Sequence, residues 1–167
     1  MNPTARWSLR ARLVLAALLG ALGAFGLAPT GFWVITCAML LAVPALFLAA
    51  TSSRQAALTG LALGVGWFAH ALIWIIEPFL VDLARHGWMA PFAIVLSAIG
   101  MGLFWAFAFW LAHLFGRTPA ARIWAMIGAW SLAEFARAYI FTGFPWAALA
   151  QIWPDADAVL LLAWIGP

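Results

Sequence analysis

The sequence predicts an all-α, polytopic membrane helix bundle with about five complete transmembrane helices and a truncated sixth. Composition is the first reason. The 167-residue chain is 68% hydrophobic and 8% charged, too little polar surface for a water-soluble domain of that length. Spacing is the second. Apolar runs of roughly spanning length alternate with short breaks rich in Pro, Gly, Ser or Arg. Charge placement is the third, because most charged residues fall at those breaks.

Residues 1–12 read as a cytoplasmic N-terminal segment bearing Arg6, Arg10 and Arg12, and residues 13–167 as the transmembrane domain. The first span is expected over 13–28. A signal peptide would also have a basic start and an apolar run, but Pro29 directly after the would-be cleavage site and the further apolar segments argue against it. Gly20, Gly23 and Gly26 recur at i+3 and predict a smooth face for helix contact. Ala28-Pro29-Thr30-Gly31 reads as a tight turn. The second span is expected over 32–50, with Pro44 kinking it. Thr51-Ser52-Ser53-Arg54-Gln55 reads as a polar loop. The third span, 56–76, carries Gly60-x-x-x-Gly64 for close helix packing and is expected to end at Glu77-Pro78. Residues 77–88 read as a greasy extramembrane stretch. The fourth span is expected over 90–115, with Pro91 in its first turn. Gly116-Arg117-Thr118-Pro119 reads as a stop and a loop, and the fifth span as 123–141. The segment Phe144 to Trp153 is too short to cross a membrane and reads as lying along the interface. A new apolar run starts at Ala158, which reads as the front of a further helix and the chain as the front part of a longer protein.

Arginine positions set the orientation. With a cytoplasmic N-terminus, Arg6, Arg10, Arg12, Arg54, Arg117 and Arg122 fall inside and Arg85 and Arg137 outside. The acids Glu77, Asp82, Asp155 and Asp157 then lie outside. Trp7 and Trp124 would flank the inner interface, and Trp33, Trp88, Trp146 and Trp153 the outer one. The scattered arginines make no nucleic-acid footprint, so no nucleic-acid partner is expected.

The residues that stand out are Glu134 and Arg137, one helical turn apart near the end of an apolar helix, followed by Thr142-Gly143-Phe144-Pro145-Trp146. One reading has Arg137 snorkelling to the headgroups with Glu134 neutralising it. The other makes the pair a lipid-headgroup contact or a brace for the turn that follows. In that turn Gly143 can take the left-handed position that closes a helix, and Pro145 prevents continuation. His70, Trp74 and Glu77 fall on one helical face, which a proton relay in a transporter could use; a bundle histidine and a surface glutamate are the plainer reading. His113 joins no cluster. Cys37, the single cysteine, sits among apolar neighbours and reads as inert. No His, Cys or carboxylate spacing resembles a metal site, and no cofactor is expected.

Trp130-Ser131-Leu132-Ala133-Glu134-Phe135-Ala136-Arg137, followed by Phe141-Thr142-Gly143-Phe144-Pro145-Trp146, resembles the membrane region of the bacterial apolipoprotein N-acyltransferase family. The Leu27 to Trp33 turn is similar to the family's first hairpin, and Gly60 to Trp74 to its third span. The resemblance implies lipoprotein maturation in the bacterial inner membrane. The acyl donor would be a membrane phospholipid and the acceptor the N-terminal amine of a diacylated apolipoprotein. It also implies a Glu–Lys–Cys triad in a nitrilase-like domain outside the membrane, working through a thioester. That triad maps onto no residue here, since the chain has no lysine and no candidate soluble domain. No catalytic residue is therefore assigned, and the chain alone is expected to be inactive. Glu134, Arg137, Phe144, Pro145 and Trp146 are expected to shape an outer platform for substrate. The competing reading is a small non-enzymatic transporter or assembly subunit using His70 and Glu77.

Overall fold

A computed structural model describes residues 7–140 and 143–153. The described residues are helical throughout, with no strand. The main helices are α1 (Leu9–Gly23), α2 (Trp33–Leu48), α3 (Ser53–Ala71), α6 (Ala90–Phe115) and α7 (Pro119–Tyr139). Two short helices, α4 (Glu77–Leu80) and α5 (Leu83–His86), lie between α3 and α6. The main helices run up and down, so the 24–32 turn, the 72–89 stretch and residues 143–153 all gather at one end, called here the distal end.

Among the described residues, two helical stretches are long and apolar enough to cross a membrane, Leu9–Gly26 and Leu83–Phe115, short of the five complete spans expected. Ser53–Ala71 and Ile73–Leu80 make a third if that pair, bent by 60°, counts as one span. Trp33–Leu48 is apolar but shorter, and α7 carries Arg122, Glu134 and Arg137.

Several boundaries differ from expectation, each for a local reason. Helix α1 begins at Leu9, where the Ser8 hydroxyl accepts from Ala11 N at 3.3 Å. The expected polar loop before the third helix is instead its first turn, since Ser52 accepts from Gln55 N at 3.3 Å and starts α3 at Ser53. At its other end α3 stops at Ala71, short of the expected Glu77-Pro78. Pro78 has no N–H to give the Trp74 carbonyl, so a regular helix cannot run through this stretch. Ile73–Ile76 tightens to a 3-10 turn, and Pro78 occupies the first turn of α4. The expected loop before the fifth helix is a cap: Thr118 accepts from Ala121 N at 3.2 Å, and Pro119 opens α7. The expectations placed on Arg6, on Phe141 and Thr142, on Asp155 and Asp157, and on the run from Ala158 lie outside the described residues.

With hydrocarbon on both sides, helix association rests on close packing rather than on apolar burial. Helix α3 is central, packing most extensively against α6 and then α1, while α6 also packs on α7. Helix α2 lies against α1 and barely touches α7. Small residues make the close approaches. A Cβ on Gly64 would stand 2.8 Å from Gly102 Cα, and one on Gly60 2.5 Å from the Trp105 carbonyl oxygen, so the Gly60-x-x-x-Gly64 pattern serves the α3–α6 contact. The Gly20, Gly23 and Gly26 stripe divides: Gly20 meets the α3 backbone, and the other two meet Met39 and Thr36 of α2. Phe47, Trp67, Phe68, Trp105 and Phe109 fill the space between and are fully buried.

Arg12, expected in the N-terminal segment, lies within α1. It is 6% exposed inside α1, donating to the Ala49 carbonyl at the end of α2 and to Gln55 Oε1 at 2.9 Å. There it satisfies a helix C-terminal carbonyl that hydrocarbon could not.

Candidate functional site

The distal end of α7 carries the densest polar network among the described residues. Glu134 and Arg137 share one face of the helix, and Arg137 Nη2 lies 3.0 Å from Glu134 Oε2. Both are buried, Glu134 8% and Arg137 1% exposed. Arg137 therefore points into the bundle rather than snorkelling outward.

The pair turns inward and holds the chain that follows it. Gly143, at φ +83°, closes the α7 end, with its N–H donating to the Ile140 carbonyl at 3.0 Å. Only a residue without a Cβ fits, because a Cβ would stand 2.4 Å from the Ala138 carbonyl oxygen. The chain then folds back over α7. Arg137 Nη1 donates to the carbonyls of Phe144 at 2.8 Å and Trp146 at 2.7 Å. Glu134 Oε2 also accepts from Leu149 N at 3.0 Å. Of the earlier readings, a snorkelling arginine, a headgroup contact or a brace, the contacts seen are those of a brace.

Two tryptophans complete the network from other helices. Trp105 Nε1 of α6 donates to Glu134 Oε1 at 2.8 Å. Trp67 Nε1 of α3 donates to the Ala147 carbonyl at 2.9 Å. Ala147 is the one non-glycine at positive φ among the described residues, +58°, a conformation kept only where its surroundings enforce it. The Arg137 guanidinium also lies over the Phe68 ring at 5.0 Å. Below it, Trp105 packs against Trp67, Phe68 and Trp130.

The outcome for the five residues singled out by sequence is mixed. Glu134 and Arg137 are interior struts. Phe144 is half-buried, its carbonyl bound by Arg137. Pro145 is exposed, and Trp146 is 57% exposed, so these two form the presented surface. Trp33, Trp74 and Trp88 are exposed at the same distal end. Trp67 and Trp105 carry no signal in the sequence beyond apolar bulk. Their indole nitrogens could not have been assigned from sequence, because each partner lies on a distant segment.

The relay reading loses its geometry. His70 closes α3 with its ring 4.2 Å from that of Phe25, and Glu77 is exposed beyond the break at Leu72, in the arm bent by 60°. The common helical face of His70, Trp74 and Glu77 does not form. Cys37 is half-buried on α2.

These features define a class: an α-helical membrane protein in which a buried ion pair holds a folded-back segment at one end of the bundle. The chain belongs to the apolipoprotein N-acyltransferase family, since residues 19–167 match the family model described as the apolipoprotein N-acyltransferase N-terminal domain. It is 41% identical over 100 residues to the apolipoprotein N-acyltransferase of Caulobacter vibrioides, covering 60% of this chain and 19% of that protein. It is 34% identical over 142 residues to that of Rhodopseudomonas palustris, covering 82% of this chain and 26% of that protein. With that of Ralstonia nicotianae it shares 34% identity over 148 residues, covering 86% of this chain and 28% of that protein. The chain thus spans less than a third of the length of these relatives.

Proposed function

We propose that this chain is the membrane platform of a phospholipid:apolipoprotein N-acyltransferase, which moves an acyl chain from a membrane phospholipid to the N-terminal amine of a diacylated lipoprotein. The family membership supports the reaction class. The observation that carries the residue-level reading is the bracing of residues 144–149 by Glu134 and Arg137, which fixes the backbone carrying exposed Pro145 and Trp146. A braced aromatic edge at the interface suits the handling of two amphiphilic substrates, because positioning a reactant in advance lowers the barrier to its reaction. We read five crossings of the bacterial inner membrane with the N-terminus inside, which the arginine distribution supports; on that reading this edge faces the outer side.

Within this reading the platform's part is positioning, and we assign it no covalent step. Cys37 lies on α2, and no lysine accompanies it.

The test is a chimera in which residues 19–153 replace the matching part of the Ralstonia nicotianae relative, which is similar over 148 residues. The expected result is N-acylation of a diacylated lipopeptide by the chimera. A chimera that inserts at normal abundance and transfers no acyl chain would overturn the proposal.

A further inference from the structure

The braced segment leads the chain to one particular side of the bundle. Ile152 is buried and packs against Gly26. The ring of Trp153, the last described residue, lies 5.3 Å from that of Trp33, the first residue of α2. Just before it, Leu149 and Ala150 roof a groove between α2 and α7. Leu40 and Pro44 line this groove from α2, and Met126, Ile127 and Ser131 from α7. Its volume is about 450 Å³. From Met126 to Glu134 it follows α7 for about 12 Å at the helical rise per residue. Helix α2 barely touches α7, so the groove opens sideways and leaves Ile127 46% exposed.

The sequence supplies an occupant. Residues 158–165 are an uncharged run of Ala, Val, Leu, Trp and Ile, and Asp157 directly before it is of a type that starts helices. Five residue steps lead from Trp153 to Ala158, so the run begins within about 18 Å of Trp153 even at full extension. A helix over 158–165 is about 12 Å long at the same rise per residue, which matches the groove.

Packing decides between the surfaces within reach. In a bilayer, helices associate through close van der Waals contact, because lipid tails are as apolar as the side chains. A groove gives an added helix two walls. The outward face of α2, where Val34 is 60% and Leu41 83% exposed, gives it one. The groove between α6 and α7 lies on another face of α7, lined by Leu103 and Leu132, and none of residues 143–153 borders it.

We propose that residues 158–165 form a helix that docks in the α2–α7 groove, parallel to α2 and antiparallel to α7. The chain enters from the roofed end, which sets the register. Leu161 lies level with Ser131, and Ile165 level with Ile127, four residues along each helix. The inference needs no part of the acyl-transfer reading.

The experiment is disulfide trapping in the whole 167-residue chain in bilayers, with Cys37→Ala as the background. Two pairs carry the register: Ser131→Cys with Leu161→Cys, and Ile127→Cys with Ile165→Cys. Each should oxidise within one chain several-fold faster than Leu103→Cys or Leu132→Cys paired with the same run. Leu40→Cys with Leu162→Cys reads the α2 wall if a pair on α7 lowers abundance. Disulfides joining two chains would overturn the proposal, since a second copy would then fill the groove. So would equal or faster coupling to Leu103→Cys or Leu132→Cys, and so would no coupling at any pair at normal abundance, since the groove would then be left to lipid.

Discussion

Removing the Glu134–Arg137 pair whole should cost well under the sum of breaking it from each side. Glu134→Leu leaves the Arg137 guanidinium, 1% exposed, without its counter-charge. It also strands the N–H groups of Trp105 and Leu149. Loss of one partner of a buried pair costs about 3–5 kcal/mol. Arg137→Leu does the converse, leaving a buried carboxylate and freeing the Phe144 and Trp146 carbonyls. The double variant has no buried charge and pays only for the stranded polar groups, each about 1–3 kcal/mol and less where water reaches them. The combined loss should therefore fall about 2–3 kcal/mol short of the sum of the two single losses. The assay is a double-mutant cycle on the chain in bilayers or mixed micelles, by reversible unfolding at equilibrium. Losses additive to within about 0.5 kcal/mol would refute the reasoning, because uncoupled sites behave that way.

Three further outcomes are expected. Trp67→Phe keeps the ring but removes the donor to Ala147, and should destabilise residues 144–152 by about 1–2 kcal/mol, read as faster amide exchange there than in α3 and α6. Unchanged exchange in that segment would show that the indole N–H holds nothing. Topology reporters fused after Arg54 and Arg117 should read as cytoplasmic and one within 79–87 as external; reversed readings would reject the orientation. The purified chain incubated with labelled phospholipid should form no hydroxylamine-sensitive thioester, and one on Cys37 that Cys37→Ala removes would make the chain an enzyme in its own right.

Local rules made much of this molecule readable in advance. The apolar runs gave the five main helices, and Gly60 and Gly64 marked the close α3–α6 approach. The i, i+3 spacing paired Glu134 with Arg137, and Gly143 ended α7. Long-range partners were not readable. Trp67 meets Ala147 through a backbone carbonyl, which leaves no trace in residue type, and Trp105 meets Glu134 from another helix. Arg12 read as part of the cytoplasmic N-terminal segment because its main partner, the Ala49 carbonyl, is equally silent. The break at Leu72 was missed because Pro78 acts several residues upstream, through the Trp74 carbonyl, inside an apolar run that itself reads as helix. The exposed role of Trp146 was legible, but the interior role of Glu134 and Arg137 needed the fold to show which way they turn.

The central claim is that the braced distal edge serves acyl transfer, and Trp146→Ala in the acyl-transferring chimera tests it most directly. Trp146 makes its hydrogen bond to Arg137 through the backbone, so the substitution removes the exposed ring and leaves the brace in place. The measurement is the rate of N-acylation of a diacylated lipopeptide, normalised to chimera abundance. The account predicts a several-fold lower rate at normal abundance. An unchanged rate would contradict it and reduce Trp146 to an interfacial anchor.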